Sequence, residues 1–324
     1  MTVLRGFPGL VIGTEWADSV TTGPYDAYTP KQRAALAEAN PYSFLHVTRS
    51  QEDVPADKQD DIDGLIAGCA TSMQRIYDAG AYVEHGEPSL FLYRMEVGDH
   101  SQTGILGVVP VTDPDDRRIL RHESVRPGRA DLLTRHLLEV GMSSSPISLT
   151  YRTDEALDSV IASCTAGQPI LESTSEGVHQ TVWAVAGGDA DALIGAMGDR
   201  TLYVTDGHHR LAAAEEARNR VAPTHPDHPL QWTEAVLFPD AQMLVLPFHR
   251  RVGDRAGRSA AKIIEALSEC GPLQPRVDAE DARPTGPGTV GVYVGGQWFS
   301  LELPAATGSR AVDRLDVSRL QDGV

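Results

Sequence analysis

Short apolar runs that are typical of strands alternate with longer helical segments along most of this chain. The runs SLFLYRMEV (89–97) and GILGVVPV (104–111) predict a pair of strands across a polar loop. Helices are predicted at 61–78, 130–139 and 155–163. Because strands and helices interleave without a regular strand–helix–strand period, the pattern predicts an α+β fold with mixed α/β layers and a mixed sheet.

The other predicted elements continue this alternation. Further helices are predicted at 30–40, 191–198, 260–269 and from the polar segment 206–210 to Arg220, and further strands at 180–185, 201–205, 233–238 and 243–248. Asp154 is expected to cap the helix that follows it. Gly295 and Gly296 separate two alternating runs, so they predict a β-hairpin.

The acidic composition argues against two classes of partner. The 324-residue chain has 28 Lys and Arg against 45 Asp and Glu, a formal net charge of −17. Such a surface repels nucleic-acid backbones and anionic lipids, so we expect neither nucleic acid nor a membrane as a partner. The N-terminus is a poor signal peptide, and the three cysteines lie far apart. We therefore expect a cytoplasmic protein.

The segment LYVTDGHHRLAAAEEA concentrates titratable groups where a predicted strand meets a predicted helix. Its polar residues are Asp206, Gly207, His208, His209 and Arg210. A helix N-terminus offers unpaired amides and about half a positive charge, and glycine lets a ligand approach the backbone. With arginine and histidine as donors, these groups favour a phosphate site. Asp206 is then a helix N-cap, a Mg²⁺ ligand or the partner of a substrate hydroxyl.

Two other interpretations of this segment stay open. In the first, the aspartate is a helix N-cap, the glycine only makes the turn and the imidazoles lie on the surface, so the segment binds no ligand. A zinc site on His208 and His209 is disfavoured because neighbouring residues of a helix diverge by about 100°. Chelating histidine pairs are usually spaced i, i+4.

Several polar residues elsewhere are candidates for substrate binding. They are Asn40, Ser43, His46 and Arg49 in NPYSFLHVTR, Ser144 and Ser145 in SSSPI, and His249 and Arg250 in LPFHR. Arg49 could clamp a phosphate or a carboxylate, and the pair at 249–250 is a further anion candidate. The alternative is structural, with Asn-Pro stopping a helix, a strand ending at Arg49 and SSSPI forming only a turn.

The motifs DGHHR and RHESV carry a resemblance to known families. DGHHR after a strand resembles the signature loop of the ParB/sulfiredoxin-like superfamily, whose free-serine kinases carry D-G-H-x-R. The wider chain, over roughly residues 20 to 320, resembles a prokaryotic family catalogued as domain of unknown function number ten-fifteen. Its motifs occur here in order as GPYDAY, NPYSFLHVTR, RHESV, GRADLLTRHLL with SSSPI, LYVTDGHHR and LPFHR. Ser124 stands where that family usually has threonine, and this chain ends soon after LDVSRLQ, where such proteins usually continue.

The resemblance implies a ParB/sulfiredoxin-like core with a mixed sheet and with N- and C-terminal extensions. We accordingly predict an N-terminal family-specific region at 1–80, a nucleotide-binding and catalytic core at 81–255, and a C-terminal α/β extension at 256–324. A possible homodimer stays open.

The resemblance also implies a small-molecule kinase that transfers a phosphoryl group from ATP or ADP to a hydroxyl of a serine-like free amino acid or a similar metabolite. His122 and Glu123 match the histidine and catalytic glutamate that precede D-G-H-x-R in the serine kinases. Glu123 and Asp206 are expected to be catalytic, with Asp206 also holding Mg²⁺. The nucleotide is expected on Gly207 to Arg210 and on His122. No Walker A pattern is present in the sequence.

Two further functions follow from the same superfamily. Relatives of ParB bind nucleotide and change conformation, so a non-catalytic nucleotide-binding switch or scaffold is the alternative. Sulfiredoxin-like repair is disfavoured, because its nucleophilic cysteine would stand in the signature loop, where this chain has His208.

Overall fold

The computed structural model describes residues 3–23, 25–112, 116–244, 249–306 and 308–323. The chain divides into two compact units, Met1–Val245 and Leu246–Val324. In these described ranges the first unit contains a large sheet of mixed strand direction, and the second contains a three-stranded antiparallel sheet.

Nine strands form the sheet of the first unit in the part of the chain that the structure describes. They are β1 (Phe7–Ile12), β2 (Tyr82–Val97), β3 (His100–Pro110), β4 (Ile119–Leu120), β5 (Ile147–Tyr151), β6 (Leu171–Ser175), β7 (Val178–Val185), β8 (Leu202–Asp206) and β9 (Trp232–Pro239). Their order is β4-β8-β5-β9-β3-β2-β7-β6, with β1 paired to β2. The pairs β4–β8 and β5–β9 are parallel, whereas β5–β8 and β3–β9 are antiparallel. The predicted mixed α/β layers with a mixed sheet are therefore confirmed.

The seven α-helices in the described ranges of this unit include three that begin at a capping side chain. The seven are α1 (Ala17–Val20), α2 (Pro30–Ala39), α3 (Ile62–Asp78), α4 (Pro127–Val140), α5 (Glu155–Thr165), α6 (Gly187–Met197) and α7 (His208–Val221). Asp61 caps α3 by accepting a hydrogen bond from the amide of Gly64 at 2.9 Å. Asp154 caps α5 as predicted, because its carboxylate accepts from the amides of Ala156 and Leu157. Each such cap stabilises a helix by about 1 kcal/mol.

The predicted hairpin of β2 and β3 is formed, and both strands extend further toward the N-terminus than predicted. Four short strands of this unit, β1, β4, β5 and β6, were missed because they have only two to six residues each. The strand predicted at 243–248 is not formed at Met243 and Leu244, and the remainder lies outside the described residues. Helix α6 begins at Gly187, four residues before the predicted start.

The core of the first unit lies between the sheet and its helices. Alternate residues of β5 are fully buried, with Ile147, Leu149 and Tyr151 at 1% exposure or less. Leu157 of α5 and Leu193 of α6 join the same buried cluster. Burying such side chains contributes about 1.5–3 kcal/mol each, so the short strands are held mainly by packing rather than by their own propensity.

The second unit is small. It has helix α8 (Ala260–Cys270), strands β10 (Leu273–Arg276), β11 (Thr289–Val294) and β12 (Gln297–Glu302), and helix α9 (Asp316–Gly323). The predicted hairpin of β11 and β12 is confirmed, with both turn glycines at positive φ, 61° and 82°. Across both units, no helix in the described ranges combines the length and the apolar character needed to cross a membrane.

Candidate functional site

The order of three strands brings distant segments to one end of the sheet. β4 runs parallel to β8, with Ile119 opposite Leu202, so the C-terminal ends of both strands lie at the same end of the sheet. β5 runs antiparallel to β8, with Ser148 opposite Asp206, so the loop that precedes β5 lies at this end of the sheet too. The loop 121–126 and the segment 143–146 therefore meet the junction between β8 and α7.

Gly207 makes the turn from β8 into α7. Its backbone is left-handed, with φ 97° and ψ 24°, and it is the N-cap of the helix. A Cβ at this position would lie 3.0 Å from Cγ2 of Ile147 and 3.1 Å from Nη2 of Arg210. Both the backbone conformation and the space therefore require glycine.

The N-cap position of α7 has no side chain to satisfy the first amides of the helix. Asp206 precedes the cap, so its interpretation as an N-cap is wrong. In the described part of the chain, the amides of His208 and His209 have no hydrogen-bond acceptor. Such amides at a helix N-terminus attract anions.

His208, the first residue of α7, is the buried group of the site, with 2% of its surface exposed. Its Nε2 accepts a hydrogen bond from the amide of His122 at 3.4 Å. The rings of His122 and His208 meet edge to face, with centroids 4.5 Å apart. The imidazole of His208 thus contacts both the backbone and the ring of a residue from the loop after β4.

The carboxylate of Glu123 lies on the other side of the His208 ring. Its Oε2 is 3.5 Å from Nδ1 of His208, slightly beyond hydrogen-bond distance. Because Nε2 is the acceptor, the neutral ring carries its proton on Nδ1, facing Glu123. The Glu123 side chain is 60% exposed, so a solute can reach it.

Burial lowers the pKa of His208, and the nearby His122 and Arg121 lower it further. The carboxylates of Glu123 and Asp206 oppose this shift, so both lie close enough to act on the ring. The net effect keeps His208 neutral near pH 7, which is the state that its acceptor role requires.

A second imidazole also holds the loop that carries Glu123. Nε2 of His209 accepts a hydrogen bond from the amide of Arg126 at 3.1 Å, at the N-cap position of α4. The loop is thus joined to the first turn of α7 at both of its ends.

Arg210 links the junction to the segment before β5. Its side chain is 16% exposed, and its guanidinium forms an ion pair with Asp206 and donates to Oγ of Ser145. It also donates to the carbonyl of Pro146 at 2.6 Å. A phosphate bound by this side chain would compete with these partners.

Ser144 lines a small cavity beside the junction. Arg210, His136 and Thr233 are among its other lining residues, and its volume is about 10 Å³. That is close to the smallest space that holds one water molecule. The structure thus brings Ser145 into contact with Arg210 and Ser144 near it.

Arg121 and Glu215 form an ion pair that the sequence analysis did not select. The guanidinium Nη1 is 2.9 Å from Oε2 of Glu215, and the two side chains are 17% and 12% exposed. Nε of Arg121 and Oγ1 of Thr112 are buried without a hydrogen-bond partner in the described part of the chain. The sequence feature that could have indicated this ion pair is the position of Glu215 on the buried side of an alanine-rich helix.

Three of the candidates in NPYSFLHVTR make local structural contacts instead. Asn40 bonds the carbonyl of Ser19 at 2.6 Å, Nε2 of His46 lies 2.8 Å from the carbonyl of Ala37, and buried Ser43 caps a short turn. These contacts agree with the structural alternative for this segment.

Arg49 is exposed, but the predicted strand that ends there is not formed. His249 and Arg250 are exposed residues of the second unit. Arg250 does make an interaction. The residues before them in LPFHR lie outside the described part of the chain.

One group of side chains in the described ranges could hold a metal ion. Single ligand atoms of His122, Glu123 and His208 all lie within 4.8 Å of one another. Asp206, the residue expected to hold Mg²⁺, is not part of this group and pairs with Arg210.

Comparison with known proteins assigns the chain to a family. The model of the family "Protein of unknown function (DUF1015)" matches residues 4–318. The chain belongs to this family. The match includes the loop 121–126, the junction at Gly207 and most of the second unit. No curated protein and no solved structure matches the chain significantly.

Proposed function

We propose that this protein is a small-molecule kinase that transfers a phosphoryl group from ATP or ADP to the hydroxyl of a serine-like amino acid or a related metabolite. We also propose that its core belongs to the ParB/sulfiredoxin-like superfamily, on the strength of the DGHHR and RHESV motifs. The proposal depends on one observation. Glu123 lies 3.5 Å from the buried ring of His208, at the N-terminus of a helix that begins with a left-handed glycine.

The N-terminus of α7 is the proposed phosphate site. The amides of His208 and His209 and the positive end of the helix dipole favour phosphate oxygens. Arg210 would exchange Asp206 for a phosphate, which guanidinium binds in a bidentate manner. Asp206, once released, would be able to hold Mg²⁺, which neutralises phosphate charge when bound. Each charge-assisted contact contributes about 1.5–3 kcal/mol.

Glu123 is the proposed base for the attacking hydroxyl. Its carboxylate is exposed on one side and faces His208 on the other, so it is both accessible and oriented. Phosphoryl transfer needs mainly positioning and charge neutralisation, with a carboxylate to accept the proton of the acceptor. A general base of this kind contributes about 10²–10⁴-fold to the rate.

Incubation of the purified protein with ATP or ADP, Mg²⁺ and a panel of hydroxylated amino acids and metabolites tests the proposal. A product heavier than one acceptor by one phosphoryl group is the expected result, detected by mass spectrometry. Glu123→Gln should lower kcat by about 10²–10⁴-fold while nucleotide affinity changes little. Glu139→Gln, at an exposed position of α4, is the matched control and should keep full activity.

The ion pair of Arg210 with Asp206 also favours the alternative, a nucleotide-binding switch, because nucleotide would open this pair and free two side chains to move. A switch would bind ATP or ADP with a dissociation constant that Arg210→Ala raises by about 10- to 150-fold, but it would give no phosphorylated product. If neither nucleotide binds the parent protein, both the kinase and the switch are refuted.

A further inference from the structure

We infer that His122, Glu123 and His208 form a binding site for one transition-metal dication of the zinc type, which goes beyond the proposed phosphoryl transfer. The site combines two imidazoles and one carboxylate, a ligand set that suits zinc and its neighbours in the first transition row. Its three ligand atoms lie within 4.8 Å of one another, although His208 comes from a distant part of the sequence.

The distance between Glu123 and His208 fits two ligands of one ion. Oε2 and Nδ1 are 3.5 Å apart, which is long for a hydrogen bond. Two ligands at 2.0–2.2 Å from a tetrahedral ion are separated by about 3.3–3.6 Å. Oε2 of Glu123 and Nδ1 of His208 therefore already have the spacing of two ligands of one ion, without movement of either side chain.

The ring of His122 supplies the third ligand. It meets the His208 ring edge to face at a centroid distance of 4.5 Å, and both His122 and Glu123 are exposed. A fourth coordination position would consequently be open to water or to a solute, as in catalytic rather than structural zinc sites.

Metal binding through Nδ1 would require a change of tautomer in His208. Nε2 would then carry the proton, and the amide of His122 would lose its acceptor at 3.4 Å. The lost contact is a long hydrogen bond, and because His122 is exposed, water can replace the acceptor. The loop would stay attached through the bond between Arg126 and His209 at 3.1 Å. The rearrangement is therefore local.

This ligand set should bind transition-metal dications more tightly than Mg²⁺. Imidazole nitrogen suits zinc, cobalt and nickel, whereas magnesium prefers oxygen ligands in octahedral geometry. We therefore expect that a large excess of Mg²⁺ does not displace Zn²⁺ from this site.

Titration of the metal-stripped, full-length protein with Zn²⁺ against a chromogenic chelator tests the inference without nucleotide. One tightly bound ion per chain is expected, and His122→Ala and Glu123→Gln should each weaken its affinity by more than about tenfold. His225→Ala removes an exposed histidine from another part of the chain and should leave the affinity unchanged. Co²⁺ should give the visible absorption of a four-coordinate ion in the parent and lose it in His122→Ala.

Three results would overturn the inference. They are the absence of saturable Zn²⁺ binding, an unchanged affinity in both ligand variants, and displacement of Zn²⁺ by Mg²⁺. Circular dichroism checks the folding of each variant, and a loss of Zn²⁺ binding in an unfolded variant does not support the inference. His122→Ala is expected to fold, because His122 is exposed.

One consequence rests on the proposed function. A Glu123 carboxylate that ligates Zn²⁺ cannot accept a proton, so Zn²⁺ should inhibit phosphoryl transfer, and a chelator should restore it. The binding titration contains no nucleotide and no acceptor. A protein that binds Zn²⁺ but transfers no phosphoryl group would refute the kinase alone, and one that transfers it without binding Zn²⁺ would refute the metal site alone.

Discussion

Substituting alanine for glycine at two helical positions should change stability in opposite directions. Gly207 has φ 97°, and a Cβ there would lie 3.0 Å from Cγ2 of Ile147 and 3.1 Å from Nη2 of Arg210. Gly195 lies within α6, has no positive φ, and a Cβ there would have no neighbour within 4 Å among the described residues. Gly207→Ala should therefore destabilise the first unit, and Gly195→Ala should stabilise it.

The magnitudes follow from the two environments. A left-handed backbone costs a non-glycine residue about 1–2 kcal/mol, and the added methyl costs about 1 kcal/mol or more because Ile147 and Arg210 must shift. The smaller entropy of the unfolded chain offsets about 0.4–1 kcal/mol of this. We expect Gly207→Ala to lower the free energy of unfolding by about 1–3 kcal/mol, and Gly195→Ala to raise it by about 0.5–1 kcal/mol.

Urea denaturation followed by circular dichroism measures both effects. A shift of the midpoint at constant slope reports a change in stability rather than a change in the unfolded state. Our account of the β8–α7 junction would be refuted if the two variants shifted the midpoint in the same direction, or if Gly207→Ala left it unchanged. The second result would mean that the turn at Gly207 relaxes without strain.

Two further predictions concern buried polar groups. Burial lowers the pKa of His136, so the unfolded chain binds a proton near pH 6.5 while the folded one does not. Stability should fall as the pH drops below about 6.5. His136→Gln, which can still donate to the carbonyl of Val47, should make the unfolding midpoint less sensitive to pH between about 5 and 7. Arg121→Met should cost about 3 kcal/mol, because it leaves Glu215 largely buried without its partner, and adding Glu215→Leu should recover much of that loss.

Each of these two predictions has an outcome that contradicts it. An unchanged pH profile in His136→Gln would show that His136 is not the group that links protonation to unfolding. For the ion pair, a double-mutant cycle separates the interaction from the individual side chains. Additive losses in Arg121→Met and Glu215→Leu would show that the two side chains do not stabilise each other.

The elements that sequence alone located are those whose stabilising contacts are local. The cap of α3 at Asp61 and that of α5 at Asp154 act within three residues, and the paired glycines 295–296 form their turn from their own backbone freedom. By contrast, β5 is stabilised by neighbours some 55 and 88 residues further along the chain, and its five alternating residues are too short a run to identify a strand by themselves. The strand expected at 243–248 is absent at Met243 and Leu244, the two of its residues that the structure describes.

The candidate site likewise combines features that one short segment reveals with contacts that depend on the fold. DGHHR marked one half of the site, because dense titratable groups at a strand–helix junction are visible in one segment. RHESV marked the other half only through the family resemblance. Arg210 pairs with Asp206 only four residues before it, a spacing that the sequence shows. The sequence contained no indication that Arg210 would also contact Ser145, because that contact depends on β5 lying beside β8. The ion pair of Arg121 with Glu215 was missed for a similar reason, since its two residues are 94 positions apart and no sequence pattern pairs them.

The amino-acid sequence determined the acidic character of this protein, most of its helices, two of its hairpins and the residues available for chemistry. These properties follow from composition and from interactions between residues close in the chain. Only the tertiary structure decided that Glu123 faces His208, that Nε2 of His208 is an acceptor, and that two histidines and a glutamate converge. The physical reason is the parallel pairing of β4 with β8, a long-range contact whose stability comes from the core that the whole first unit buries.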